Sequence, residues 1–281
     1  MSLEPGFLLF LAVLFIGGAV AGSFSGILGI GGSILLVPLQ FYLLTEAGYP
    51  PDIAMKVAIA TALSFTFFTS FSSAYNHSKH QVVLWKKALL IGVFGFIFSF
   101  AGAYIASHLN AVYLSVIFGA VVLVSSLKFM TMKNANEALE KMSSKPILFA
   151  ICGCIMGLLS GLTGIGGGMV LIPLLIFLIK MPLRQAIGTS AATIIFTSFG
   201  GVISYAINGM NIAGLPPYSL GYINLAMWTA LVIPGVIFAA AGAKVSHRVN
   251  QKYVRHLFSA ITFLVGAGMI LQGIFMYFPS L

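Results

Sequence analysis

The sequence predicts an all-α polytopic membrane protein made of two inverted-topology repeats, each a glycine-broken helical hairpin followed by three transmembrane helices. Three observations lead there. Hydrophobic residues make up 59% of the chain and charged residues 7%, with a mean hydropathy of +1.06, whereas about a quarter of the residues in an ordinary soluble domain are charged. One segment occurs twice: Gly22 to Leu39 and Gly157 to Leu174, 135 positions apart, agree at ten of eighteen positions, including both Gly-Ile-Gly-Gly cores and the Pro-Leu that follows each. Finally, the basic residues sit in short connections between apolar runs, and an inverted arrangement puts nearly all of them on one side of a membrane.

In chain order, the first apolar run spans about residues 6 to 28 and stops at Gly29-Ile30-Gly31-Gly32. A shorter arm runs from Ser33 to Leu44, and a loop with Glu46, Pro50, Pro51 and Asp52 follows. Full crossings, which need about 20 apolar residues each, are expected at 54–76, 84–107 and 111–131. The second half repeats the order: 147–163, a break at Gly164 to Gly168, a short arm to Ile179, then 184–206, 221–244 and 253–277. Further anchors agree, such as Ala58-Ile59 and Thr61 with Ala186-Ile187 and Thr189, and Phe68-Thr69-Ser70-Phe71 with Phe196-Thr197-Ser198-Phe199. The units are therefore 1–131, a cytoplasmic linker at 132–146, and 147–281. Glu4 rather than Lys or Arg leads the first segment, and that segment belongs to the repeat, so it is expected to remain in the mature chain.

Charge sets the expected orientation. If each broken pair enters and leaves on the same face and the N-terminus is outside, the loops at 77–87, 128–146, 180–184 and 244–255 are cytoplasmic, and thirteen of the fourteen Lys and Arg lie inside. Only Lys56 does not. The C-terminus is then outside too. Plain four-crossing halves would share one orientation and scatter the basic loops over both faces. The +9 net charge is thus topological bias rather than a nucleic-acid footprint. Cys152 and Cys154, two apart on an apolar run, face different ways and cannot pair.

Two hairpins entering from opposite faces bring their glycine tips together near the midplane, the usual basis of alternating access. Non-helical backbone at that depth must be buried in protein or line a wet cavity. Glycine there tolerates positive φ and lets successive N–H groups point into one concavity. The short arms starting at Ser33 and Gly168 aim helix N-termini at it, and such termini bind anions. Candidate substrate-binding residues are Gly29, Gly31, Gly32, Ser33, Thr61, Gly164, Gly166, Gly167, Gly168, Thr189 and Ser190, with Ser25, Ser160, Thr163, Ser64 and Thr193 beside them. By contrast, Gly22/Gly26 and Gly157/Gly161 have the small-xxx-small spacing of close helix packing.

The doubled Gly-x-x-Gly-x-Gly-Gly-x-x-x-x-x-Pro pattern, Thr61 and Gly188-Thr189-Ser190 after the hairpins, and the length resemble the TauE/SafE family of sulfite and organosulfonate exporters. The resemblance covers essentially the entire chain. It implies a carrier of small sulfur-containing oxyanions in a bacterial or archaeal inner membrane, with uptake of thiosulfate, sulfate or sulfonates, or an anion channel, as alternative readings. The first half departs from the second at Ala60-Thr61-Ala62, so a ligand role for position 62 is not expected to be symmetric. The partners implied are a small anionic substrate and the lipid bilayer, with no nucleic acid; no motif specifies an oligomeric state.

No Asp or Glu falls within an expected crossing, and His77 reads as a solvated group at the inner end of a helix. Without a buried carboxylate, potential-driven export is the simplest energetics, since each anionic charge leaving an inside-negative cell gains about 2.3 kcal/mol per 100 mV. Enzyme classes find no support: there is no His-Glu-x-x-His, no Gly-x-Ser-x-Gly, and neither glycine cluster completes a dinucleotide fingerprint after a strand. No metal-ligand or cofactor pattern is present.

Overall fold

The computed structural model of the protein describes residues 5–131, 142–143, 145–246, 249 and 251–278, the side chains of 5–8 and 251 excepted. Residues 132–141 and 144 of the expected linker lie outside the described residues. The chain forms α1 (Pro5–Leu28), α2 (Ser33–Glu46), α3 (Pro51–Lys79), α4 (Trp85–His108) and α5 (Ala111–Thr131), then α6 (Pro146–Thr163), α7 (Gly168–Phe177), α8 (Leu183–Gly209), α9 (Leu225–Val245) and α10 (Gln251–Tyr277). Two-residue strands β1 (Ser219–Leu220) and β2 (Ile223–Asn224) pair antiparallel ahead of α9. Among the described residues eight helices are long and apolar enough to cross a membrane, α2 and α7 being the short apolar arms. It is a multi-pass membrane protein.

Local chemistry explains the boundaries. Both long arms stop where glycine takes the left-handed conformation, Gly29 at φ 64° and Gly164 at φ 72°; both short arms start behind another, Gly32 at 76° and Gly167 at 84°. Proline begins α3 and α6 at the first turn, where a missing N–H costs nothing. Helix α3 runs about a turn longer than expected at both ends, and α8 about a turn longer at its C-terminal end. Helix α9 begins at Leu225 rather than 221, because the turn through Gly221 occupies the preceding residues and Asn224 caps the helix, its Oδ1 accepting from Met227 N at 2.9 Å.

Glycine decides how the helices pair. A Cβ at Gly18, Gly22 or Gly26 of α1 would strike the backbone of Leu231, Gly235 or Ala239 of α9, and one at Gly153, Gly157 or Gly161 of α6 would strike Ile91, Gly95 or Ser99 of α4. Both pairs advance four residues at a time in the same sense, so each is parallel and in backbone contact along a small-residue stripe. Each half of the chain thus packs its broken helix on the fourth helix of the other half. Helices α5 and α10 pair antiparallel: Gly266 faces Gly119 and Leu123, and Gly273 faces Val116 and Val112. At the centre lie α3 and α8, the most deeply buried of the long spans.

Candidate functional site

A helix that ends inside the bundle leaves its last carbonyls without intrahelical donors, and water is not there to replace them. The two broken helices meet this in parallel ways. In α1, the Ser25 carbonyl accepts from Gly29 N at 2.9 Å and the Gly26 carbonyl from His77 Nε2 at 3.2 Å. In α6, the Ser160 carbonyl accepts from Gly164 N at 2.8 Å and the Gly161 carbonyl from the Tyr205 hydroxyl at 2.9 Å. His77 and Tyr205 occupy the same register after the shared Ala-Ile-x-Thr anchor. The expectation of a solvated His77 is therefore corrected: it is 2% exposed and tied to the first broken helix. A histidine near a helix end reads as interfacial only if no other helix covers it, and α1 does.

The break itself is held by hydroxyls of α3 and α8. Thr66 donates to the Gly31 carbonyl at 3.1 Å, Thr197 to the Gly166 carbonyl at 3.3 Å, and Ser190 to the Gly29 carbonyl at 3.3 Å. Thr66 and Thr197 lie near the middle of their helices, which sets the breaks at half depth along the two central helices. The tips also touch each other. A Cβ on Gly168 would lie 2.6 Å from Ile30 Cα, one on Gly31 would lie 3.4 Å from the Ile165 carbonyl, and the Thr66 methyl sits 2.8 and 2.5 Å from Cβ positions on Gly31 and Gly166. Gly168 itself has helical φ; it is small because of this approach rather than because of a turn.

Thus Gly29, Gly31, Gly32, Ser33, Gly164, Gly166, Gly167, Gly168 and Ser190 are brought together, all buried. Three hydroxyls at the tips, Ser25, Ser33 and Ser160, are at most 1% exposed and have no hydrogen-bond partner among the described residues. Ser25 and Ser160 are repeat equivalents one turn before the breaks, and Ser33 opens α2 where its first N–H groups lack intrahelical acceptors. Thr61 and Thr189 do something else. Thr61 Oγ1 accepts from Asn224 N at 3.0 Å and Thr189 Oγ1 from Leu84 N at 3.2 Å, so each clasps the start of a fourth helix belonging to the other half. Their O–H groups remain available as donors. Thr66, Thr197, His77 and Tyr205 were missed as site residues; the shared register of His77 and Tyr205 after the Ala-Ile-x-Thr anchor was readable, whereas Thr66 aligns with Ile194 and Thr197 with Thr69, so the repeat gave no signal for that pair.

On the Asn224 side a cavity of about 270 Å³ opens among Phe10, Leu44, Tyr49, Pro217, Tyr218 and Asn224. Its walls are apolar and aromatic, and the Asn224 backbone links them to Thr61.

The comparisons with known proteins agree with this architecture. The model of the sulfite exporter TauE/SafE family matches residues 14–269, nearly the whole chain. The chain belongs to the TauE/SafE family. A probable membrane transporter protein of Methanocaldococcus jannaschii is 32% identical over 96% of this chain and 99% of its own length. The probable membrane transporter protein YunE of Bacillus subtilis is 28% identical over 94% and 98%, and one of Haemophilus influenzae 26% identical over 94% and 99%. No solved structure matches the chain. This TauE/SafE protein is accordingly a membrane transporter, and family and relatives alike point away from an enzyme.

Proposed function

We propose that the protein exports small sulfur-containing oxyanions, sulfite or organosulfonates, by alternating access at the site formed by its two glycine tips. The observation that carries this reading is the buried cluster of tip backbone with three buried hydroxyls, Ser25, Ser33 and Ser160, that have no partner among the described residues. It offers hydrogen-bond donors and two helix N-termini but no fixed cation, which suits reversible binding of an anion that must also be released. Gly31, Gly32, Gly166, Gly167 and Gly168 supply backbone and Ser25, Ser33 and Ser160 hydroxyl donors; Ser190, whose hydroxyl donates to the Gly29 carbonyl, steadies the tip, and Thr61 and Thr189 join the site to the starts of α9 and α4. The antiparallel pairing of the equivalent helices α5 and α10 supports inverted repeats, and the basic loops support a cytoplasmic linker with both termini outside. Burial of the tip from Leu28 to Ile34 and from Thr163 to Met169 favours an occluding carrier over an open channel.

The test is efflux from proteoliposomes loaded in turn with sulfite, thiosulfate, sulfate and a small sulfonate, with and without an inside-negative potential. Selective efflux that grows with the potential is expected. Gly167→Val places a β-branched side chain at φ 84°, with its Cβ 2.5 Å from Met156 Cγ, and should abolish efflux while the variant still inserts. Normal transport by that variant would reduce the tips to a structural role.

A further inference from the structure

Arg255, within the crossing expected at 253–277, lies in α10 and is 4% exposed. It belongs to an inward stripe of Arg255, Phe258, Ser259 and Thr262 at the spacing of one helix face, each at most 4% exposed. Phe258 packs on Phe24 of α1, ring centroids 5.1 Å apart. Arg255 Nε and Nη1 are buried and have no hydrogen-bond partner among the described residues, and the Ser259 hydroxyl one turn on is also buried and without one there. A buried lysine escapes such a position by losing its proton; arginine cannot. The carboxylates of the described residues, Glu46 and Asp52, sit at the other end of the bundle, where Asp52 Oδ1 accepts from Ala111 N. The twenty-one residues of α9 separate that end from α10, about 30 Å at the helical rise. An uncompensated buried charge is strongly unfavourable, and ionisable groups inside a membrane protein mark function by default.

We propose that Arg255 and Ser259 form a second oxyanion site, distinct from the glycine tips, at the end of the bundle where α9 passes to α10. Its ligand is an oxyanion that accepts from the guanidinium and the serine hydroxyl, either a free anion of the transported class or the phosphate of an anionic lipid. Lys244, in the last turn of α9, and Lys252, in the first turn of α10, flank the same connection and draw anions towards that end.

The experiment uses the full chain in a phosphate-free maltoside detergent, with sodium sulfate and then phosphatidylglycerol as probes. Binding is read by equilibrium dialysis and by thermal melting. Wild type should melt higher with the probe, and Arg255→Met should lose that gain, with affinity down about tenfold or more because a charge-assisted bond is removed. Without probe, Arg255→Met should melt no lower than wild type, since it removes an unpaired charge. Arg255→Lys should bind more weakly than wild type but better than Met, and Ser259→Ala should lose a few-fold. Gly167→Val should keep this site whatever it does to transport, which separates this proposal from the tip reading. A response to sulfate names a free anion, and a response to phosphatidylglycerol alone names a lipid phosphate. If neither probe raises the melting of wild type, or if Arg255→Met melts well below wild type without probe and binds both probes unchanged, the proposal is overturned.

Discussion

Thr66 is the residue through which damage at one glycine tip should reach the other. Its methyl lies between the Cβ positions of Gly31 and Gly166, and its hydroxyl holds the Gly31 carbonyl. Gly166→Ala puts a side chain at φ 76°, costing about 1–2 kcal/mol for the left-handed conformation. The new Cβ would sit 2.5 Å from Thr66 Cγ2, adding about 1–3 kcal/mol of overpacking. Thr66→Ser keeps the hydroxyl and deletes the offending methyl, at about 1 kcal/mol for the lost apolar group. The double variant should therefore recover most of the overpacking, with a coupling of about 1–3 kcal/mol. Melting in detergent, followed through Trp85 and Trp228, should fall on the order of 10 °C for Gly166→Ala and rise again when Thr66→Ser is added. If the two losses simply add, the Thr66 methyl is not between the tips and the central contact is wrong.

Other outcomes follow from the same geometry. Gly22→Ala and Gly157→Ala should each lower the melting temperature, by comparable amounts, because their Cβ atoms meet the backbone of Gly235 and Gly95; Gly268→Ala, with nothing within 4 Å, should not. Thr61→Val and Thr189→Val each leave a backbone N–H without its acceptor and should cost about 1–3 kcal/mol. Hydrogen exchange should quicken in 218–224 for the first and in 81–84 for the second, and Ser at either position should restore protection. Tyr205→Phe strips the hydroxyl from the Gly161 carbonyl and should destabilise by about 1–3 kcal/mol, visible as a lower melting temperature with insertion retained.

Much of the chain's organisation needed no coordinates. Composition requires a membrane protein, runs of about 20 apolar residues require helices, and the duplicated Gly-Ile-Gly-Gly segment marks two equivalent breaks. The packing stripe at Gly22/Gly26 and Gly157/Gly161 was readable too, since four-residue spacing places small residues on one helix face whatever the partner is.

What the tertiary structure alone decided is which faces meet. In a soluble helix, alternation of polar and apolar residues marks the buried side, but lipid is as apolar as a protein interior, so these helices are hydrophobic all round and their phase carries little signal. That is why the exchange of α1 onto α9 and of α6 onto α4 was not readable. It is also why Thr61 and Thr189 emerged as clasps on Asn224 and Leu84, why Ser190 rather than position 62 holds a tip carbonyl, and why His77 and Arg255 proved to be covered. Each of those outcomes depends on a neighbour more than forty residues away in the chain, or on a face that only packing selects.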